Sequence, residues 1–307
     1  MVSATLVDVP EFPDIEVYVE CLDARVVGAP LESVRLKSPF LLRTAEPPLS
    51  ECHGKQVLGV RRLGKRIVLQ LEDDLFLVLH LMIAGRIRWK KRGAAIPGKM
   101  GLAAFDFPDG SLVLTEASSH KRASLHVERG EAALQQHDRG GLEVHDATLE
   151  AFTEAVTREN HTLKRTLADP RLLSGIGNAY SDEILHAARL SPIKLSQKLS
   201  PEEIARLHGC CKEVLLRWRS RLRDEVGDGF PDKVTAFHDA MAVHGRYGKP
   251  CPDCDDPVQR IVYAKNETNY CATCQTGGRL LADRSMSKLL KKDWPRTLTE
   301  LDERMSR

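Results

Sequence analysis

Four cysteines in two pairs, Cys251-Pro-Asp-Cys254 and Cys271-Ala-Thr-Cys274, leave sixteen residues between the pairs. At that spacing four thiolates can close a tetrahedral shell around one zinc ion; two disulfides or four unrelated thiols are the alternatives. A zinc with four sulfur ligands keeps no position for water, so such a metal stabilises a fold and does no chemistry itself. Between the pairs, residues 258–265 are rich in β-branched and aromatic types, and residues 266–269 are turn-prone. The pattern predicts a zinc-stapled β-hairpin.

A second chemical pattern is Gly175-Ile-Gly-Asn-Ala-Tyr180. Two glycines let the chain turn tightly with backbone N–H groups exposed, and a helix starting there points its positive end at an incoming phosphate oxygen, with Asn178 as a side-chain donor. A plain helix–helix turn is the alternative. A third is charge: residues 54–92 carry ten Lys and Arg against three acids, although the whole chain has a net charge of only +2. Such clustering suits either a phosphate backbone or a solvated face.

These groups need elements to hold them. At 307 residues the chain has room for about two domains. It has no apolar run of the roughly eighteen residues that a membrane helix needs, and the first nine residues lack a signal-peptide pattern. The expectation is a soluble, cytoplasmic protein whose other cysteines, Cys21, Cys52, Cys210 and Cys211, are buried or inert thiols. Residues 57–71 and 75–89 read as an antiparallel strand pair around the turn Glu72-Asp-Asp74. Residues 103–107 and 111–115 repeat the pattern around Pro108-Asp-Gly110, with one helix near 13–24. Beyond residues 135–141 the apolar period changes to three and four, predicting helices over 148–158, 181–188 and 200–222; Ser200-Pro-Glu-Glu203 starts the last with an N-cap serine. Residues 277–307 form a basic, polar tail with some helical pattern.

Pro10-Glu-Phe-Pro-Asp-Ile-Glu16, Gly64-Lys65-Arg66, His80-Leu-Met-Ile-Ala-Gly85, Thr162-Leu-Lys164, the Gly175 stretch and the two cysteine pairs stand in one order along residues 10–275. In that order they resemble the formamidopyrimidine-DNA glycosylase and endonuclease VIII family of base-excision repair enzymes. The resemblance implies an α+β architecture: a β-sandwich catalytic domain over 10–130, a helix–two-turn–helix domain over 148–230 and a zinc β-hairpin over 240–276, followed by the tail. DNA would lie in the cleft between the two halves. The implied activity is that of a DNA glycosylase and abasic-site lyase acting, as a monomer, on oxidised or ring-opened bases in damaged double-stranded DNA at the bacterial nucleoid, with one structural zinc.

By the same resemblance the amine of Pro10 attacks C1′ of the damaged nucleoside, Glu11 shuttles protons and opens the sugar ring, and Lys65 reaches the lesion's phosphate. A terminal α-amine titrates near pH 8, so a useful fraction is unprotonated at neutral pH. Lys164 and Asn178 stand where the family contacts phosphate or lesion. Ile83 replaces a family methionine that fills the gap left by a flipped base, and Ser119-His-Lys-Arg-Ala123 replaces an arginine–phenylalanine loop, offering His120, Lys121 and Arg122 without the aromatic. Asn266 replaces the hairpin arginine linked to the second elimination step, so β-elimination is expected to dominate. Nine residues precede Pro10, which makes its nitrogen a tertiary amide. The expectation is a native start at Pro10, because Val9 could be encoded by GTG, a bacterial start codon. A damaged-DNA-binding protein without catalysis is the alternative reading, and a zinc-containing sequence-specific regulator a third.

Overall fold

The computed structural model describes residues 9–118, 120–231, 238–263, 266–282 and 295–305. The chain folds into two compact units, residues 1–140 with 217–235 and residues 141–216 with 236–307.

The first unit begins with helix α1 (Phe12–Val26), whose apolar stripe Ile15, Tyr18, Leu22 and Val26 repeats at helical spacing and is buried. Eight strands follow: β1 (Ser33–Leu36), β2 (Val57–Leu63), β3 (Arg66–Leu71), β4 (Leu75–His80), β5 (Gly85–Lys90), β6 (Gly101–Phe107), β7 (Gly110–Glu116) and β8 (Ser124–Arg129). They form two antiparallel sheets, ordered β1-β6-β7-β5 and β2-β3-β4-β8. Ile67, Leu69, Leu71, Leu75, Leu77 and Leu79 from one sheet share a core with Val34, Ile87, Phe105, Leu112 and Leu114 from the other and with α1, which makes the unit a β-sandwich. Val68, Phe76 and Val78 point to the opposite face of their sheet and pack with Leu134 of α2 (Glu131–Gln135). Both faces of β3 and β4 are therefore covered, and these strands read as continuous apolar runs.

The expected single strand pair over 57–71 and 75–89 is corrected. Each segment holds two strands, broken at Gly64-Lys65 and at residues 81–84, and β5 leaves the β2-β3-β4-β8 sheet to pair with β7. Apolar alternation runs on through these tight turns, which hides them from periodicity.

The second unit contains α3 (Leu149–Thr157), α4 (Leu163–Ala168) and α5 (Asn178–Ala187). Thr148 caps α3 through its side chain, at 3.2 Å from the Ala151 N–H. Helix α6 (Pro201–Val226) starts in this unit and ends in the first. Ser200 accepts from the Glu203 N–H at 3.3 Å while Glu203 accepts from the Ser200 N–H at 2.9 Å, a reciprocal cap. Next come the hairpin β9 (Gln259–Tyr263) and β10 (Asn266–Tyr270), α7 (Ala272–Thr276) and α8 (Leu298–Met305). Residues 266–269, expected as a turn, are a strand paired with β9. Packing of Tyr270 and Thr268 types into a ladder outweighs the turn preference of Asn266 and Asn269. In the tail, Leu280 and Leu281 are buried with Tyr270 and Ala272, and Leu298 and Leu301 pack against them. Among the described residues no helix is long and apolar enough to cross a membrane.

Candidate active site and zinc centre

Pro10 and Glu11 stand at the start of α1, both buried, with Glu11 only 1% exposed. The Glu11 N–H donates to Asp14 Oδ2 at 3.0 Å, which closes the first turn of the helix. Lys65 sits in the Gly64-Lys65 turn between β2 and β3. The link between them is Arg62, which motif reading passed over. Its guanidinium bonds Glu16 Oε1 at 2.5 Å and the Gly64 carbonyl at 2.9 Å, and it stacks over Phe12 at 4.7 Å. Glu16 and Phe12 belong to the first turns of α1, so one buried cation joins the Pro10-Glu11 segment to the Lys65 turn.

The register brings further residues to the same end of the sandwich. Arg66 pairs with His80 across β3 and β4, and His80 with Ser124 across β4 and β8. His80 accepts the Met82 N–H on Nδ1 at 3.2 Å. Burial, together with the charges of Arg66 and Lys65, pushes its pKa down to about 3, so the ring is neutral and can act as that acceptor. The following turn carries Ile83, partly buried, and closes on Gly85, where a Cβ would lie 2.1 Å from the Leu81 carbonyl oxygen. Gly85 pairs with Glu116, and the loop after Glu116 holds His120, Lys121 and Arg122. The turn that carries Ile83 and the loop that carries Lys121 and Arg122 therefore leave neighbouring strands side by side; Ser119 lies outside the described residues.

In the second unit Lys164 does not project freely from α4. Its Nζ bonds Asp182 Oδ1 at 2.6 Å and the Asn178 carbonyl at 2.5 Å. Asp182, fully buried, also bonds His244 Nδ1 at 2.8 Å through Oδ2. Its neighbour Glu183 accepts the N–H groups of Ala242, Val243 and His244 at 2.8–2.9 Å. One turn of α5 thus ties α4 to the segment that leads into the cysteines. Asn178 opens α5, and Gly177 caps it. Gly175, at φ +78°, makes the turn that the sequence predicts, but Gly175, Ile176 and Gly177 are buried and Asn178 is the partly exposed residue. This corrects the expectation of an exposed glycine backbone: Ile176 carries the turn into the core.

Asn266 opens β10 opposite Tyr263, and its side chain lies outside the described ones. Arg260 stacks on Tyr247 at 4.2 Å and bonds Glu267 at 3.1 Å.

The four paired cysteines converge. Their Sγ atoms all lie within 4.8 Å of one another, with Cys254 to Cys271 at 3.4 Å and Cys251 to Cys274 at 3.9 Å. Zinc–sulfur bonds of about 2.3 Å in a tetrahedron put sulfurs roughly 3.8 Å apart, so the set fits one structural zinc. His186 of α5 places Nε2 3.3 Å from Cys251 Sγ, and Gln275 bonds both the Cys271 N–H at 2.8 Å and the Leu190 carbonyl at 2.9 Å. The other thiols differ: Cys52 and Cys211 are buried, and burial pushes Cys52 up to about 11, whereas Cys21 and Cys210 are only partly covered.

Comparison with known proteins follows the same division. The formamidopyrimidine-DNA glycosylase N-terminal domain matches residues 9–146, the formamidopyrimidine-DNA glycosylase H2TH domain residues 142–218, and the zinc finger found in FPG and IleRS residues 248–277. A formamidopyrimidine-DNA glycosylase of Heliobacterium modesticaldum is 30% identical over 279 residues, covering 87% of this chain and 99% of its own. One from Thermus thermophilus is 32% identical over 281 residues, covering 88% and 99%. A formamidopyrimidine-DNA glycosylase-like protein of Mycobacterium tuberculosis, itself uncharacterized, is 43% identical over 129 residues, covering 42% of this chain and 80% of its own. Among solved structures, the Lactococcus lactis formamidopyrimidine-DNA glycosylase bound non-covalently to DNA with an abasic site superimposes with a TM-score of 0.75 at 25% identity, covering 87% of this chain and 99% of that one.

Proposed function

The chain belongs to the formamidopyrimidine-DNA glycosylase family, and on that premise we propose that it excises oxidised or ring-opened bases through an iminium formed by the amine of Pro10. As a base-excision repair glycosylase and lyase it acts on damaged double-stranded DNA. The observation that carries the catalytic assignment is the Arg62 link, since it holds the Pro10-Glu11 segment and the Lys65 turn as one site.

In this reading the Pro10 nitrogen lone pair forms a bond to C1′ as the base leaves with the glycosidic electron pair. The nitrogen then gives up its N–H proton, Glu11 delivers a proton to O4′ as the C1′–O4′ bond breaks, and the freed nitrogen lone pair makes the C=N⁺ bond. Loss of a C2′ proton then expels the 3′ phosphate. The burial of Glu11 next to Pro10 in the chain supports a part in proton transfer. Lys65 contacts the lesion's phosphate, Ile83, Lys121 and Arg122 occupy the gap left by the flipped nucleotide, and Asn178, Asn266 and Lys164 contact the backbone. These contacts make binding salt-sensitive. One structural zinc holds the hairpin. Asn266 brings no charge, which favours a β-elimination product; a clean β,δ product on abasic DNA would contradict that. We assign the protein to the cytoplasm, at the nucleoid, as a monomer, and keep 10–130, 148–230 and 240–276 as its working parts.

The chemistry needs a secondary amine at residue 10, which a form starting at Pro10 supplies. The test is borohydride trapping on a duplex with one abasic site, comparing the 307-residue chain with a form that starts at Pro10. A covalent adduct from the shorter form alone is expected. Adducts from both would move the nucleophile to a lysine, Lys65 first, and none from either would leave a damaged-DNA-binding protein without catalysis.

A further inference from the structure

The loop that replaces the family's aromatic plug is held by a residue with no assigned part in the reaction. Glu116, the last residue of β7, is 1% exposed, and its carboxylate is turned back along its own chain. Both oxygens accept the Arg122 N–H, each at 2.9 Å, and Oε2 also accepts the Ala123 N–H at 3.1 Å. Lys121 Nζ bonds the Glu116 carbonyl. Two further contacts join this residue to the turn carrying Ile83. Glu116 pairs with Gly85, where that turn ends, and the Ala117 N–H bonds the Ala84 carbonyl at 3.4 Å. A charged acceptor spent on backbone donors six and seven residues ahead pins a loop more tightly than neutral acceptors would.

We propose that Glu116 is the positioning residue for discrimination of the base opposite the lesion. Its carboxylate fixes the backbone at Arg122 and Ala123, so that the polar side chains of residues 120–122 meet the opposite strand in one arrangement beside Ile83. In a chain without the aromatic plug, orientation of flexible side chains must come from the backbone beneath them, and Glu116 is what holds that backbone. This inference rests on the glycosylase reading given above.

The experiment uses the form starting at Pro10 and the variants Glu116→Gln and Glu116→Ala. Glu116→Gln keeps the shape but turns one acceptor oxygen into a donor group facing N–H donors. Nicking rates are compared on four duplexes that differ only in the base opposite one abasic site. The wild type is expected to prefer some opposite bases, and both variants to lose roughly tenfold of that preference, equivalent to about 1.4 kcal/mol. Trypsin cleavage after Lys121 and Arg122 in the folded protein, read by mass spectrometry, is expected to quicken in both variants. A uniform loss of rate on all four duplexes, preference kept in the variants, equal rates in the wild type, or unchanged trypsin cleavage would each overturn the assignment to Glu116. Absence of nicking by the wild type on every duplex would instead overturn the glycosylase reading, and this inference with it.

Discussion

Lys164 and Asp182 form a buried ion pair, Nζ to Oδ1 2.6 Å, in which the carboxylate is fully buried and the lysine side chain 15% exposed. The same carboxylate holds His244, so a residue that the family resemblance marks as a DNA contact is also a joint between α4, α5 and the approach to the zinc hairpin. Removing one partner of such a pair strands a charge in a low-dielectric interior. Lys164→Met is therefore expected to cost about 3 kcal/mol in urea unfolding, near the low end of the range because His244 remains. A loss confined to DNA affinity, with stability unchanged, would make Lys164 a phosphate ligand and nothing more.

The His186 contact with Cys251 carries a prediction about the metal. A thiolate bound to zinc has no proton, so His186 Nε2 is the donor across the 3.3 Å separation. Outer contacts of this kind hold a ligand in place. His186→Phe is expected to speed zinc loss to a chelator by about tenfold while the protein still binds one zinc per chain. Equal release rates would show that the histidine only packs there.

Glu11 should matter for chemistry more than for binding. Glu11→Gln keeps the size of a buried side chain but cannot shuttle a proton, and base excision is expected to fall by about 10²–10⁴-fold with affinity for an abasic-site analogue retained. A fall in affinity equal to the fall in rate would mean that the carboxylate serves binding.

His80 gives the fold an acid sensitivity. Burial comes first among the causes that push it down to about 3, followed by the charges of Arg66, Lys65, His126 and Arg139; an unfolded histidine titrates near 6.5. Between those values the unfolded chain holds a proton that the folded chain lacks, so stability is full above roughly pH 6.5 and falls as pH drops towards about 3. His80→Gln, which retains an acceptor for the Met82 N–H, is expected to flatten the decline in urea midpoint between about pH 6.5 and 4.5. Since burial also lowers His126, part of the slope should survive; an unaltered slope would assign all of it elsewhere.

The strand character of residues 57–89, 103–115 and 259–263, the helices at 12–26, 149–157, 178–187 and 201–226, and the zinc pairs were legible in the sequence because each is a local signal. Apolar residues repeat at two or at three and four, caps stand at helix starts, and cysteines are close in number as well as in space. Local signals also misled: Asn266 and Asn269 read as a turn but lie in a strand, and the Gly64-Lys65 and 81–84 turns were swallowed by continuous alternation.

What the amino-acid order offered by itself was a set of candidate groups: the four paired cysteines, a glycine turn and, through the family resemblance, Pro10, Glu11 and Lys65. Which residues hold them was decided by tertiary structure. Arg62 is an ordinary strand cation until Glu16, Phe12 and the Gly64 carbonyl surround it. Glu116 is one acid among many until the loop folds back onto it, and Asp182, Glu183 and His186 are nearby positions on α5 until Lys164, the segment at 242–244 and Cys251 arrive from elsewhere. The physical reason is the same in each case. A supporting side chain is defined by its partners, those partners are distant in sequence, and only burial makes the contact strong enough to matter.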